Sequence, residues 1–401
     1  MTMIKRTVSI TLYIVFLAVL FFGGLKLVDR WFLNTHARLG SIGDPPMTQR
    51  VDPARPDITV NTLDLYPWTG GHTQANFSLN GGRFRSGDHG FFIDFDLDQP
   101  PPKAKGEFRV VLIGGSAAAG WGASANDNML YKVLERRFAA QKPCGSTMTL
   151  SVINLAMGGA LTHQNFNALN RWGHQLQPDL ILSFSGVNDQ VYLWEGVDGW
   201  FGFKTVQAYV LMSRYEASPP YLKTLARFYP GLVRSTAFGV AIRTFHLRDY
   251  EKFAWDDYIS RYPPEPKTPA ERVEKISIPR YVHSLQSVKR DFLGIPIFIV
   301  YQPYMSTSAN PGIAAEFPIS HDEFRRYYEK FILGSRQALD GYMNGEWHFF
   351  DAHEYYARVM ASKYLPGDGV HLDDTKQQEL GTVVGERLFP VVCRLAGSRR
   401  H

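Results

Sequence analysis

The feature that most constrains the fold is a change of pattern near residue 108, where short apolar runs begin to alternate with amphipathic stretches. Runs that are apolar throughout are typical of strands buried on both faces of a sheet. They lie at residues 108–113, 150–153, 180–184, 295–301 and 347–350. Helical stretches are expected at about 128–140, 162–176, 279–292, 321–342 and 374–395. We therefore predict an α/β domain with a doubly wound parallel five-stranded sheet of the flavodoxin-like order 2-1-3-4-5 and helices on both faces.

The residues before this domain divide into two further regions. Residues 1–38 form an N-terminal tail, an apolar segment and a juxtamembrane segment, and residues 39–105 form a Pro-rich linker followed by a small β-rich prologue. Within the prologue, Asn80-Gly81 indicates a hairpin, and the alternation of Phe and Ile with Asp over residues 91–97 indicates a strand. The main α/β domain is then expected over residues 106–401.

The apolar segment predicts a membrane anchor. Residues 7–25 are 19 consecutive uncharged positions. In a helix they would cover roughly 28 Å, close to the hydrocarbon thickness of a bilayer. A cleaved signal peptide or a buried soluble helix are the alternatives. Basic residues flank both ends almost equally, and because so short a tail usually stays inside, we expect a single-pass protein of the cytoplasmic (inner) membrane with an extracytoplasmic, periplasmic domain.

Composition excludes several classes of protein. Hydrophobic residues make up 45% and charged residues 20% of the chain, so disorder as a default is excluded. The two cysteines do not form a C-x-x-C pair, which excludes a zinc ribbon and a thioredoxin-type centre, and none of the 12 histidines lies in an H-E-x-x-H pattern. We expect neither a metal nor a cofactor.

A glycine-rich turn, residues 114–120, follows the first strand of the main domain. A phosphate loop would need Lys and Ser or Thr where Trp121-Gly122 stand. A dinucleotide fingerprint fails because Ser116 occupies its second glycine, and a nucleophile elbow fails because Ala118 occupies its last. What remains is a serine at a strand-to-helix turn, which by itself is structural at least as often as catalytic.

Two further strand ends carry groups that suit an oxyanion hole. Asn188 follows the third strand, where its amide offers two donors, although a simple Asx turn would also explain it. Gly159 follows the second strand, where glycine lets a backbone N–H point at a ligand. Each signal is weak alone.

Two Asp/His pairs are candidates for an acid and base. Asp368 and His371 precede the last helix, and a separation of three residues lets the carboxylate orient one imidazole nitrogen while the other takes a proton. The alternative is a capping Asp beside an exposed His. Asp351 and His353 follow the fifth strand, and we assign them a structural or secondary role.

The combination of these motifs in this order resembles the SGNH (GDSL-like) hydrolase superfamily over about residues 106–395. The resemblance implies that Ser116 is the nucleophile and that Asp368 and His371 complete a catalytic triad. It also implies that the oxyanion hole is formed by Ser116, Gly159 and Asn188.

One position departs from the family pattern: Gly115 stands where the family name expects Asp. Because that Asp is outside the triad, the chemistry is kept and only the substrate subgroup becomes open. The resemblance therefore implies a membrane-anchored serine esterase that removes O-acyl groups, acetyl above all, from a cell-envelope glycan or lipid. An O-acyltransferase with the same triad is the nearest alternative. A non-catalytic scaffold that binds polysaccharide or other envelope-assembly proteins is the alternative of another class.

A long insertion, at about residues 190–280, separates the third strand from the fourth and predicts a helical cap. Within it, residues 199–248 carry seven basic residues and a single acid, with aromatic residues between them. In an anchored protein this pattern favours lipid headgroups or an anionic glycan over nucleic acid, and a solvated face of the cap is the plainer alternative. The basic residues are Lys204, Arg214, Lys223, Arg227, Arg234, Arg243 and Arg248.

The strand order also makes a prediction about the two cysteines. Cys144 follows the first helix of the domain and Cys393 lies near the end of the last. In the order 2-1-3-4-5 these helices pack side by side and both end at the amino-terminal edge of the sheet. We therefore predict a disulfide, with a Cα separation of roughly 4.4–6.8 Å.

Overall fold

The computed structural model describes residues 23–24, 63–66, 70–73, 78–79, 82–87, 89–194, 268–304, 320–340, 347–359 and 370–398. The chain divides into two units, one of Met1–Val60 with Tyr209–Asp257 and one of Asn61–Ala208 with Tyr258–His401. Apart from Gly23 and Gly24, every described residue belongs to the second unit.

Two predictions fall largely on residues outside the described part of the chain. The segment predicted to be an anchor, residues 7–25, is described only at Gly23 and Gly24, and the basic segment 199–248 is not described at all. Within the described residues, none of the helices combines the length and the apolar character that crossing a membrane requires.

The main sheet has five parallel strands, which follow four short strands, β1 to β4, in the prologue. They are β5 (Glu107–Gly114), β6 (Thr149–Asn154), β7 (Leu180–Ser185), β8 (Ile297–Tyr301) and β9 (Trp347–Asp351). Their spatial order is β6-β5-β7-β8-β9, which is the predicted order 2-1-3-4-5 when the strands are counted from β5. The central strand β7 is buried along its whole length, as a continuous apolar run predicts.

Helices follow these strands at positions close to those predicted. The helix predicted at 162–176 is divided into two by a π-helical stretch, Leu169–Gly173. A second π-helical stretch, Val273–Ser277, directly precedes the helix predicted at 279–292. A helix directly after β9 was not predicted. The helices are α1 (Ser116–Ala119), α2 (Leu130–Gln141), α3 (Thr162–Ala168), α4 (His174–Leu176), α5 (Val187–Trp194), α6 (Pro269–Arg272), α7 (Ile278–Asp291), α8 (His321–Asp340), α9 (Ala352–Val359) and α10 (Asp374–Ser398).

Helices cover both faces of the sheet. On one face, Val111 and Ile113 of β5 join a buried cluster that includes Tyr281 of α7 and Phe331 of α8. Alternate residues of a strand point to opposite faces of the sheet. Val110 and Leu112, which are also fully buried, therefore face the helices of the other layer. That layer contains α2, which packs against β6 and against α10. The carboxyl ends of the strands are left as the edge at which a ligand can bind.

The prologue contains two short antiparallel pairs. β1 (Leu63–Tyr66) pairs with β2 (Gly70–Thr73), and β3 (Ser78–Leu79) pairs with β4 (Phe84–Arg85) as the predicted hairpin. The strand predicted at residues 91–97 was wrong, because this segment forms bends and turns. Its alternation is one of burial alone: Phe91 and Leu97 are buried, whereas Asp94 and Asp96 are about half exposed. The backbone turns within the segment, where Ile93 N donates to Phe91 O at 3.0 Å.

A disulfide joins the loop after α2 to α10. Cys144 is bonded to Cys393 across 249 positions of sequence, with a Cα–Cα distance of 5.1 Å. The two helices pack closely along their length, since a Cβ on Gly381 would lie 2.4 Å from Val133 Cγ1, and the rings of Phe138 and Phe389 are 5.1 Å apart. The bond lies at the amino-terminal edge of the sheet, as the strand order requires.

Candidate active site

The site is built around Ser116, which follows β5 and begins the short helix α1. Its side chain is 6% exposed. His371, which lies just before α10 and is half-buried, places Nε2 at 2.7 Å from Ser116 Oγ. A neutral imidazole at this distance can accept the hydroxyl proton. Two residues 255 positions apart therefore form a serine–histidine pair of the kind that nucleophilic catalysis uses.

The third member of the predicted triad, Asp368, lies outside the described residues. Its role therefore stays a prediction of the sequence. The described chain resumes at Val370, which is buried, and continues through His371 to the start of α10.

Asn188 lies beside the turn that carries Ser116. A Cβ placed on Gly115 would be 2.4 Å from Asn188 Nδ2, so the amide occupies the space that any other residue at position 115 would fill. Asn188 Nδ2 also donates to Ala160 O at 2.9 Å. An amide nitrogen carries two hydrogens, and this bond uses one, which leaves the other for an oxyanion.

Gly159 belongs to the loop after β6 that Asn188 contacts through Ala160. Gly159 is half-buried. The predicted oxyanion residues Ser116, Gly159 and Asn188 thus come from the ends of β5, β6 and β7, three neighbouring strands. Their convergence follows from the parallel sheet, in which the carboxyl ends of strands share one edge.

Asp189 is a residue of this site to which the sequence interpretation gave no role. It is 7% exposed, and its carboxylate accepts hydrogen bonds from Thr162 N at 3.1 Å and Thr162 Oγ1 at 2.9 Å. Burial raises the pKa of Asp189 to about 6, against the lowering effect of the bonds from Thr162. Thr162 begins α3 directly after the loop that contains Gly159. Asn188, through Ala160, and Asp189, through Thr162, therefore both connect that loop to α5 by hydrogen bonds.

The second Asp/His pair serves other contacts. His353 is 2% exposed and its Nδ1 accepts a hydrogen bond from Tyr304 N at 3.3 Å, while Asp351 Oδ1 accepts one from Glu354 N at 2.8 Å. Burial, with a smaller effect of Arg325, lowers the pKa of His353 to about 4. A neutral, buried imidazole bonded to the backbone fits the structural role assigned to this pair.

Two other features of the described residues lie apart from Ser116. His89 Nε2 is 3.1 Å from Asp98 Oδ2 and 3.6 Å from Asp96 Oδ1. This arrangement suits a cation, but contact of the imidazole with two partly exposed carboxylates explains it equally. A groove of about 400 Å³ is lined by residues such as Glu107 and Arg109, which begin β5. The groove runs along the outer strand β6, with Thr149, Ser151 and Val152 in its wall, and Ser116 is not among its lining residues.

Comparisons with known proteins give structural likenesses only. No protein-family model matches the chain, and no curated protein sequence matches it. A lipase/acylhydrolase from Enterococcus faecalis is 14% identical with a TM-score of 0.40, over 70% of this chain and 94% of that one. The psychrotrophic esterase EstA from Pseudoalteromonas sp. is 11% identical with a TM-score of 0.37, over 71% and 98%. An acetyl xylan esterase, AlAXEase, is 13% identical with a TM-score of 0.38, over 71% and 100%. The functional assignment therefore depends on the geometry of this chain's own residues.

Proposed function

We propose that the chain is a serine esterase of the SGNH type that removes O-acyl groups through an acyl-enzyme. The observation that carries the proposal is the 2.7 Å contact between Ser116 Oγ and His371 Nε2 at the carboxyl edge of a parallel sheet. The adjacent amide of Asn188 supports it, because a nucleophile alone would not stabilise the charge that develops on the ester oxygen.

The reaction follows from these positions. Ser116 Oγ attacks the ester carbonyl while His371 Nε2 takes the hydroxyl proton, and the carbonyl oxygen becomes an oxyanion that Asn188 and the backbone N–H groups of Ser116 and Gly159 bind. The C–O bond to the alcohol breaks as His371 returns the proton to the leaving oxygen. Water then repeats the two steps on the acyl-enzyme and releases the acid. Asp368 would orient the second imidazole nitrogen.

We propose an extracytoplasmic site of action on a cell-envelope glycan or lipid. The apolar run 7–25 supports anchoring to the cytoplasmic membrane. The Cys144–Cys393 disulfide supports the same compartment, since disulfides persist in oxidising environments and are rare in the cytosol. The basic segment 199–248 supports a substrate or surface that carries negative charge.

Labelling of Ser116 tests the proposal. The full chain in detergent is treated with a fluorophosphonate probe, and the modified residue is located by mass spectrometry. We expect the label on Ser116 and hydrolysis of p-nitrophenyl acetate, with both lost in Ser116→Ala. The matched control is Ser146→Ala, which removes an exposed hydroxyl on the loop before β6 and should keep the label. Label on another residue, or full turnover in Ser116→Ala, would end the assignment.

An acceptor assay decides between hydrolysis and transfer. The protein is given p-nitrophenyl acetate with an isotopically labelled acetyl group, with and without a hexose oligosaccharide. Free labelled acetate and labelled acetylated sugar are then measured. The esterase predicts acetate as the main product under both conditions. A predominance of acetylated sugar would replace the esterase by an O-acyltransferase that uses the same residues.

A further inference from the structure

The chain that follows the nucleophile is joined to the chain that follows His371 by a set of hydrogen bonds centred on Asp374. The Asp374 carboxylate accepts bonds from Ser124 N at 2.7 Å, from Ser124 Oγ, and from Asn128 Nδ2 at 3.0 Å. Ser124 lies eight residues after Ser116, and Asp374 lies three residues after His371. The bonds thus connect the two halves of the serine–base pair by a short route.

A second set of contacts runs beside the first. Gln377, which is fully buried, accepts a hydrogen bond from Leu130 N at 2.9 Å through Oε1 and donates from Nε2 to Leu372 O at 3.3 Å. Gly122 has φ +110°, and a Cβ on it would lie 2.3 Å from the same Leu372 oxygen. The backbone one residue beyond His371 is therefore packed directly against the backbone that follows the nucleophile helix.

These contacts have a consequence for proton transfer. A base must lie within about 2.6–3.2 Å of the hydroxyl oxygen that it deprotonates, and the contact from His371 to Ser116 is 2.7 Å. His371 stands on a loop, and loops hold a side chain less firmly than a helix does. Asp374 is the first residue of α10, so its three hydrogen bonds fix the end of that loop to the segment after Ser116.

We infer that Asp374 is a positioning residue that holds His371 at its productive distance from Ser116. The inference rests on the proposed hydrolase function. The contact of Asp374 with Ser124 and Asn128 is separate from the proposed triad and from the proposed oxyanion hole. Asp374 acts through the backbone between itself and His371, since the hydrogen bonds of its carboxylate to described residues go to Ser124 and Asn128 and not to Ser116. Its loss should therefore slow the chemical step and leave substrate binding nearly unchanged.

The test compares Asp374→Ala with Asp373→Ala in the full chain. Asp373 is the matched control. Its carboxylate accepts a hydrogen bond from Lys376 N at 2.9 Å, at the start of the same helix. Asp373→Ala therefore removes the same charge from the same helix end. We expect kcat for p-nitrophenyl acetate to fall about 10- to 100-fold in Asp374→Ala, the range that a displacement of about 1 Å produces. We expect KM to stay within about twofold in both variants and kcat within about twofold in Asp373→Ala. The rate of fluorophosphonate labelling should fall in parallel with kcat.

Each outcome has a defined meaning. A parent chain that the probe does not label would remove the proposed function, and the inference with it. If the parent is labelled and Asp374→Ala keeps its kcat, or loses no more than Asp373→Ala, the inference alone is wrong. A lower melting temperature with unchanged kcat below it would also overturn the inference, since this is what a purely structural role predicts. If Asp374→Ala does not fold, Ser124→Ala removes one bond to the same carboxylate and must lower kcat without raising KM.

Discussion

Gly115 lies directly against the side chain of Asn188. A Cβ on Gly115 would come within 2.4 Å of Asn188 Nδ2 and 3.4 Å of Asn188 Cγ. The backbone of Gly115 has φ −84°, which any residue can adopt, so the need for glycine here is spatial. Glycine at this position is therefore coupled to the placement of Asn188, the proposed oxyanion donor.

Gly115→Ala should lower activity much more than stability. The added methyl group meets the end of a side chain that can rotate away, so we expect a change in the free energy of unfolding below about 1 kcal/mol. The displaced amide no longer binds the oxyanion, and loss of one such donor costs about 100- to 1,000-fold in kcat. Steady-state kinetics with p-nitrophenyl acetate and urea unfolding measure the two effects.

A double variant shows whether the methyl group acts through Asn188. Asn188→Ala alone should lower kcat by the same factor of about 100 to 1,000. If displacement of Asn188 is the cause, Gly115→Ala in the Asn188→Ala background should cost little more, because coupled sites are not additive. Losses that multiply in the double variant would show that the methyl group blocks the substrate itself.

The main sheet could be predicted from the sequence because each of its strands is a short apolar run followed by a helix. Strands of a parallel sheet are buried on both faces, so their sequences are apolar throughout. The prologue was less predictable. Residues 91–97 alternate as a strand does, yet alternation reports which side chains are buried and does not by itself supply a partner strand. Local bonds such as Ile93 N to Phe91 O bend this segment instead.

The site was predictable where each residue follows its own strand. Ser116 and Asn188 fall at strand ends, and parallel topology brings such ends together. The contact between Ser124 and Asp374 had no comparable signal, since it joins residues 250 positions apart and neither lies at a strand end. Asp189 had a signal that was overlooked, namely a carboxylate adjoining an oxyanion residue at the end of a buried strand.

Asp189 should make stability depend on pH. Because burial raises its pKa from 3.8 to about 6, the folded chain binds more protons than the unfolded chain between these values. The stability due to this group therefore falls as pH rises from about 4 to about 6 and is constant above that, with a total change of at most about 3 kcal/mol.

Asp189→Asn tests this dependence. The amide can still accept from Thr162 N and bond Thr162 Oγ1, but it does not ionise. Measured by urea unfolding, the stability of Asp189→Asn relative to the parent should be greater at pH 8 than at pH 4.5. An equal difference at both pH values would contradict the assignment of Asp189 as the titrating group.

Loss of the Cys144–Cys393 bond should lower stability and spare catalysis. The bond closes a loop across 249 positions, for which the chain-entropy model gives about 5 kcal/mol, an upper value for a real disulfide. Its position at the amino-terminal edge places it across the sheet from Ser116. The double variant Cys144→Ser/Cys393→Ser should therefore unfold at lower temperature and lower urea concentration. Below its unfolding transition it should hydrolyse p-nitrophenyl acetate at close to the parent rate.

Reduction of the parent with dithiothreitol should reproduce both the lower stability and the unchanged rate. A kcat that falls before any unfolding would instead mean that the bond helps α10 to hold His371.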